Sequence, residues 1–373
     1  MKKMLVVFFI LLIAGFMAGC NLFENSNQTT SDKNNNQAPT KTSDNKSKSD
    51  TKKQVDNEKD KNNNLSEIEA YFPMKKNTRY IYEGSGNEFA SFDIYNDYID
   101  EKKLQQRFNN GGTVMAYVIE IKNGQLVKVY SRGEVYYREN LLKETGDTEV
   151  LLKEPLSKGT QWTLADSRVR TITATDASVT TPTGTYKAIE VTTEDKEGKS
   201  LEYYAPNMGL IKSVFVMNGS EVSSSLAKVE ENVPLIQQIR FYYPNIDDDK
   251  LYYKDRDVRF FTNDITRKVL AEEYKKAENN EVVFTKNTTI NSLYLNKDQQ
   301  VYIDLNKEFI NEMSAGAAFE GKILQSIVNT FGGYYQADRV YLTINNTPYE
   351  SGHISKQKGE YFIVNTENAV KLP

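Results

Sequence analysis

The chain has little of the chemistry that most enzymes use. It carries one cysteine and one histidine in 373 residues. The single cysteine, Cys20, cannot form an internal disulfide. The single histidine, His353, excludes a multi-histidine metal site and reduces any histidine-based triad to that one side chain. In the run Ser351-Gly-His-Ile354 it reads as a surface or capping residue. No glycine-rich phosphate loop is present; Gly332-Gly333 follows an apolar stripe and is read as the stop of a helix. The formal charge is only -4, and no basic stripe interleaved with aromatics occurs, so no nucleic acid partner is expected. Asp247-Asp-Asp249 offers acidic ligands, but Lys250 stands where an EF-hand loop needs Gly, and Arg256 where it needs Glu. That run is read as a solvated acidic turn.

These absences imply no cofactor, no metal site and no catalytic residue, and the chain is expected not to be an enzyme. One route stays open, a wall hydrolase acting with carboxylates alone. Asp304 and Glu308 flank a strand end. Glu320 opens a helix, where it serves the macrodipole unless it belongs to an acid pair for glycoside hydrolysis.

The N-terminus reads MKKMLVVFFILLIAGFMAGC. Lys2 and Lys3 form a positive region, and Leu5 to Ala14 an apolar run too short to span a bilayer. Ala18 and Gly19 then precede Cys20. This order resembles the lipobox of bacterial lipoproteins. The resemblance implies removal of residues 1–19, acylation of Cys20 with palmitate-type chains, and a mature protein held on the outer face of the plasma membrane. Two or three acyl chains hold a protein stably where one holds it marginally. A plain secretory signal and an uncleaved membrane helix are the competing readings. Residues 20–65 are then the lipidated cysteine and a tether rich in Asn, Lys, Ser, Asp and Thr, in which Val55 is nearly the only apolar residue after the first few positions. Such a segment buries too little surface to offset its ordering entropy and is predicted disordered. Its typical span is roughly 35–40 Å.

Residues 66–231 read as an antiparallel β domain. Thr113–Lys122 and Gln125–Tyr130 are strand-like runs around Asn123-Gly124, the pair that supplies two positive φ angles to a hairpin turn. Glu134–Tyr137 reads as a further strand. Tyr186–Thr193 and Lys199–Tyr204 flank a five-residue turn, and Leu210–Met217 and Glu221–Val229 flank Asn218-Gly219. Helical periodicity is absent here. The predicted packing is a meander curled into a half-barrel. The abundance of tyrosine fits half-buried strands, with an aromatic binding surface as the sharper alternative.

Residues 232–373 alternate strands and helices. Leu235–Tyr243 is a strand ending at Pro244, and Asp264 is placed to cap a helix over 265–277. Ile290–Leu295 and Val301–Leu305 are strands joined by a polar turn. A helix from Ala317 to Phe331 carries Ile323, Leu324, Ile327, Val328 and Phe331 on one stripe, and Val340, Leu342 and Ile344 alternate in a last strand. The order β-α-β-β-α-β predicts a two-layer α+β domain.

QVYIDLNKEF at 300–309, SAGAAFE at 314–320, ILQSIVNT at 323–330 and DRVYLTI at 338–344 resemble a GerMN domain. FYYPN at 241–245 with Arg256 resembles that domain's opening strand and turn. This is the domain of GerM-type sporulation and spore germination lipoproteins. The resemblance implies a ring-building-motif-like fold and a role without chemistry. The protein would act by contact with other envelope or sporulation proteins, self-assembly included. The alternative is a carrier or sensor whose β domain binds a lipid, a peptide or a wall fragment.

Overall fold

The computed structural model describes residues 67–372 apart from 195, 197, 246, 249 and 277–281. The signal segment, Cys20 and the tether therefore lie outside the described residues. A short helix, α1 (Glu67–Tyr71), leads into β1 (Arg79–Ser85), β2 (Phe92–Ile99), β3 (Lys103–Asn109), β4 (Val114–Lys122) and β5 (Gln125–Arg132). Then follow β6 (Glu149–Lys153), β7 (Gln161–Thr163), β8 (Val169–Thr181), β9 (Gly184–Glu194), β10 (Lys199–Ala205), β11 (Gly209–Met217) and β12 (Ser220–Glu230). All twelve form one antiparallel sheet in the order β6-β5-β4-β3-β2-β1-β12-β11-β10-β9-β8-β7. The hairpin signals hold. Asn123 and Gly124 have φ of 51° and 66°, and Asn218 and Gly219 have φ of 49° and 77°.

The two ends of this sheet meet through side chains. Trp162 Nε1, on β7, donates to the Val150 carbonyl on β6 at 2.9 Å. Arg170, on β8, reaches Glu149 on β6 at 2.9 Å and Glu202 on β10 at 3.1 Å. The sheet is thus curled almost into a barrel, its seam closed by an indole and a guanidinium rather than by a backbone ladder. Ile119, Leu126, Leu152, Trp162, Ile172 and Ile189, drawn from strands far apart in the sheet order, pack in one core. Ile68 of α1 enters the same core and is fully buried.

One predicted strand is absent. Glu134–Tyr137 is a loop. Glu134 takes a φ of 56°, which breaks the extended run. Val135 turns down with Leu141 and Leu142 onto Ala116, Val118 and Val129. Tyr137 turns the other way and meets Tyr335 at a ring distance of 4.8 Å.

The C-terminal region is α+β. It comprises β13 (Leu235–Pro244), β14 (Leu251–Phe260), α2 (Thr266–Tyr274), β15 (Ile290–Leu295), β16 (Val301–Leu305), α3 (Glu308–Asn311), α4 (Ala317–Tyr335) and β17 (Arg339–Ile344), with short β18 (Thr347–Pro348), β19 (Phe362–Ile363) and β20 (Val370–Lys371). An additional strand, β14, pairs with β13, and the strands divide into two sheets, β13-β14-β20 and β15-β16-β17-β18. Their shared core gathers aromatic rings around Tyr274, with Phe284 at 4.9 Å and Phe241 at 5.2 Å. Two helix boundaries differ from expectation. Asp264 does not cap α2; its carboxylate accepts the Phe261 N–H at 2.8 Å instead. Nor do the glycines stop α4, which runs through them to Tyr335 and ends at Gln336 in the left-handed region. Gly332 serves packing: a Cβ there would lie 2.3 Å from Val364 Cγ2.

Many tyrosines are core residues that donate to buried carbonyls. Tyr82 donates to Leu210 O at 2.7 Å and Tyr274 to Tyr242 O at 2.6 Å. Each contributes apolar area and satisfies a backbone acceptor at once. Burial pushes the phenols of Tyr80, Tyr117 and Tyr203 up to about 12, and those of Tyr82, Tyr274 and Tyr334 further still. Below pH 10 these groups hold their protons in both folded and unfolded chains. Above it the unfolded chain releases them first, so stability falls steeply from about pH 10 upward. Denaturant midpoints measured from pH 8 to 12 are expected to be flat to pH 10 and then to drop. A flat profile to pH 12 would contradict the buried-phenol account.

Candidate contact site at the junction of the sheets

The curled sheet and the α+β region belong to one compact unit, and a buried ionic group joins them. Asp97, on β2, is fully buried. It receives Arg107 Nε at 2.9 Å on one oxygen and Arg138 Nε at 3.2 Å on the other. Arg138, 1 % exposed, lies in the loop after β5. Its Nη2 donates to the carbonyls of Asp97 and Phe261, both at 2.8 Å, and its Nη1 to that of Asp264. The guanidinium lies 4.2 Å from the Tyr98 ring. Two arginines on one carboxylate leave one positive charge. The carbonyls of Val135, Tyr137, Phe261 and Asp264 spread that charge over loop and domain alike. The Tyr334 phenol accepts the Arg138 N–H at 2.9 Å and donates to Gln237 Oε1 at 3.2 Å.

Beside this joint opens a cleft of about 450 Å³, lined by Tyr136, Gln237, Arg240, Tyr242, Tyr334 and Gln336 among others. The Gln237 amide is fixed at both ends, because its Nε2 donates to Tyr136 O at 3.0 Å. The one carboxylate of the lining, Asp255, is held by Arg240 through two contacts of 2.7 and 3.2 Å. That guanidinium keeps the Asp255 carboxyl below its usual range. The cleft thus presents amides, phenols and a neutralised ion pair.

The residues singled out from the sequence are dispersed. Cys20 lies outside the described residues. His353 is exposed in a turn whose backbone N–H donates to Ser351 Oγ at 3.1 Å. Asp248 accepts the Tyr252 phenol at 2.8 Å and the Lys250 N–H at 3.0 Å, and Asp249 lies outside the described residues. Asp304 is fully buried and accepts Thr343 Oγ1 and the Asn346 N–H, both at 2.6 Å, and Asn291 Nδ2 at 2.9 Å. Glu320 is 2 % exposed and accepts the Tyr349 phenol at 2.8 Å and Ser351 Oγ. It fastens the segment after β17 to α4 rather than facing solvent. Glu308 is exposed on α3. No group of three His, Cys, Asp or Glu side chains placed to hold a metal occurs among the described residues. No helix among them is long and apolar enough to cross a membrane.

The molecule is thus a curled twelve-stranded antiparallel sheet bonded to a small α+β domain. Residues 240–350 match the family model Germane, described as sporulation and spore germination. The C-terminal part of the chain is a GerM-type domain. No curated protein matches the chain. Among solved structures, it is similar to the tandem GerMN domains of the sporulation protein GerM from Bacillus subtilis. The identity is 16 %, over 38 % of this chain and 49 % of that one, with a TM-score of 0.28. The first GerMN domain of the same protein aligns at 20 % identity over 33 % of this chain and 94 % of that one, with a TM-score of 0.25. A protein described as a lipoprotein, from Parabacteroides distasonis, aligns at 14 % identity over 43 % of this chain and 98 % of that one, with a TM-score of 0.29. The assignment of the domain rests on the family-model match.

Proposed function

We propose that this protein is a membrane-anchored lipoprotein on the outer face of the plasma membrane. In this reading it acts by protein–protein contact in envelope assembly during sporulation or spore germination, and it is not an enzyme. The observation that carries the reading is the match of residues 240–350 to a sporulation and spore germination family. Two features support it. Cys20 stands directly after Ala18-Gly19 at the end of a short apolar run, where acylation requires it. The cleft at the junction offers hydrogen-bonding groups, and its one carboxylate is already paired.

A fluorescent fusion at the C-terminus, imaged in the native host through sporulation, tests the reading. Enrichment at the septum or around the engulfed forespore is expected. A uniform membrane signal, unchanged between growth and sporulation, would move the role to the β domain as a carrier or sensor. The anchor is tested separately. Cys20→Ala is expected to leave the precursor uncut and to abolish labelling by a fatty-acid probe, a complete loss rather than a graded one. Labelling that persists in the variant would end the lipidation reading.

A further inference from the structure

β13 is an edge strand whose ladder neighbour is β14 alone. Tyr242 shows which of its residues turn their backbone to the free edge. Its N–H donates to Thr330 Oγ1 of α4 at 2.9 Å, and its carbonyl accepts the Tyr274 phenol of α2 at 2.6 Å. Neither bond goes to β14. Across the ladder, the carbonyl of Tyr253, opposite Tyr242, accepts the Leu372 N–H at 2.8 Å on the far side of β14. The pair Tyr242–Tyr253 is therefore not bonded to itself. By the alternation of an antiparallel ladder, Arg240, Gln238 and Ile236 also point their N–H and carbonyl groups outward. Among the described residues nothing pairs these groups. Ile236 is 55 % exposed.

The cleft runs along this edge. Residues from both faces of β13 line it, from Gln237 to Tyr242, with Tyr334 and Gly333 of α4 opposite and Tyr136 at one side. At one end Thr330 takes the Tyr242 N–H, and beyond the other Ile236 is exposed. The open edge alternates amide N–H groups, which carry positive partial charge, with carbonyls, which carry negative, at about 6.7 Å intervals. The complementary row of charges at that interval belongs to an extended polypeptide backbone. The Arg240–Asp255 pair leaves the lining without net charge, so the cleft favours no polyanion. We propose that the cleft binds an extended peptide segment of a partner protein, which adds to the edge of β13 along Ile236–Arg240 as a further strand. The open stretch is about 13 Å long, room for four or five residues. Main-chain bonds hold the segment, and alternate side chains face Tyr334 and Tyr136.

This inference rests on the reading of the protein as one that acts by contact. It is tested in vitro, so it fails or succeeds apart from where the protein acts in the cell. Random heptapeptides displayed on phage are selected against the purified full chain in detergent micelles. The best sequence is then synthesised and its affinity measured by fluorescence anisotropy. Gln238→Pro removes one outward N–H and no bond to β14, a substitution that edge strands tolerate. Gly333→Leu places a side chain in space where a Cβ at present meets nothing within 4 Å. Each is expected to weaken binding by about ten-fold or more. N-methylation of alternate peptide residues on one edge is expected to do the same, and on the other edge to do nothing. Equal affinity for both variants and both methylated series would overturn the proposal, as would failure to enrich any peptide. Self-association of the wild-type chain that Gln238→Pro abolishes would also overturn it, by making a second copy the occupant.

Discussion

Replacing Arg138 by Ala is expected to lower the unfolding free energy by about 3–5 kcal/mol. The side chains of Arg138 and Asp97 are both fully buried, so solvent screening does not reduce their interaction. Removing the guanidinium takes a donor from three backbone carbonyls, of which those of Asp97 and Phe261 keep the N–H groups of Asn263 and Asp264, and leaves the Asp97 carboxylate with Arg107 alone. A cavity also opens under the Tyr98 and Phe260 rings. The loss falls at the joint, because the donors of one side chain span the sheet residue Asp97 and the turn residues Phe261 and Asp264. Guanidinium chloride unfolding followed by tryptophan and tyrosine fluorescence checks this. A single transition in the wild-type chain is expected to shift to lower denaturant and to split, as the α+β region loosens from the sheet. The double variant Asp97→Asn with Arg138→Met is expected to lose less than the two single losses added together, since Asp97→Asn alone strands two guanidiniums and the double variant strands only that of Arg107. A shift corresponding to under about 1 kcal/mol in Arg138→Ala would mean that the shape of the interface, not the ion pair, holds the joint.

Nothing local in the sequence marks this joint. Arg138 follows Tyr136-Tyr137, a pair that reads as strand, and its carboxylate partner lies 41 residues earlier. Long-range pairing of this kind leaves no spacing to detect. By contrast, the hairpins at Asn123-Gly124 and Asn218-Gly219 are legible, because positive φ selects those residue types wherever the turn occurs. The strands β16 and β17 and the stripe of α4 are legible for a similar reason: each buries one face, and burial imposes a period. β14 is hidden by its composition. LYYKDRDVRF offers only Val258 and Phe260 as fully buried positions, and the charged residues on its other face dilute the alternation. The cleft is legible only in pieces. Gln237, Gln238 and Arg240 look like the polar residues of an ordinary strand. Their interest comes from the missing neighbour, which is a property of topology. Glu320 is legible in part. Its place in the first turn of α4, where a carboxylate serves the macrodipole, reads from the sequence. Its burial against Tyr349 and Ser351 depends on where the chain returns after β17.

Arg170→Ala is expected to open the seam of the curled sheet and to cost about 3 kcal/mol or more. The side chain is only 7 % exposed and binds Glu149 on one sheet end and Glu202 on the other flank. β6 and β7 share no ladder, so this guanidinium and the Trp162 indole carry the closure between them. With Arg170 gone, Glu149 keeps only Lys128, and Glu202 keeps only the Tyr204 phenol among its present partners. The Lys128 ammonium is already depressed by burial, and Arg170 as a nearby like charge depresses it further. Loss of Arg170 therefore moves Lys128 back toward its ordinary value while the seam loosens. Amide exchange read by mass spectrometry distinguishes local from global effects. Peptides covering Glu149–Lys153 and Gln161–Thr163 are expected to exchange about ten-fold faster or more, whereas those covering β1 to β3 stay close to wild type. Arg170→Lys keeps a charge but not the fork that reaches two carboxylates, so it falls between the two. Uniformly faster exchange would show that the seam is not a separate opening unit. Unchanged exchange at β6 would assign the closure to Trp162, and Trp162→Phe, which removes the N–H and little of the apolar contact, would then become the variant that opens it.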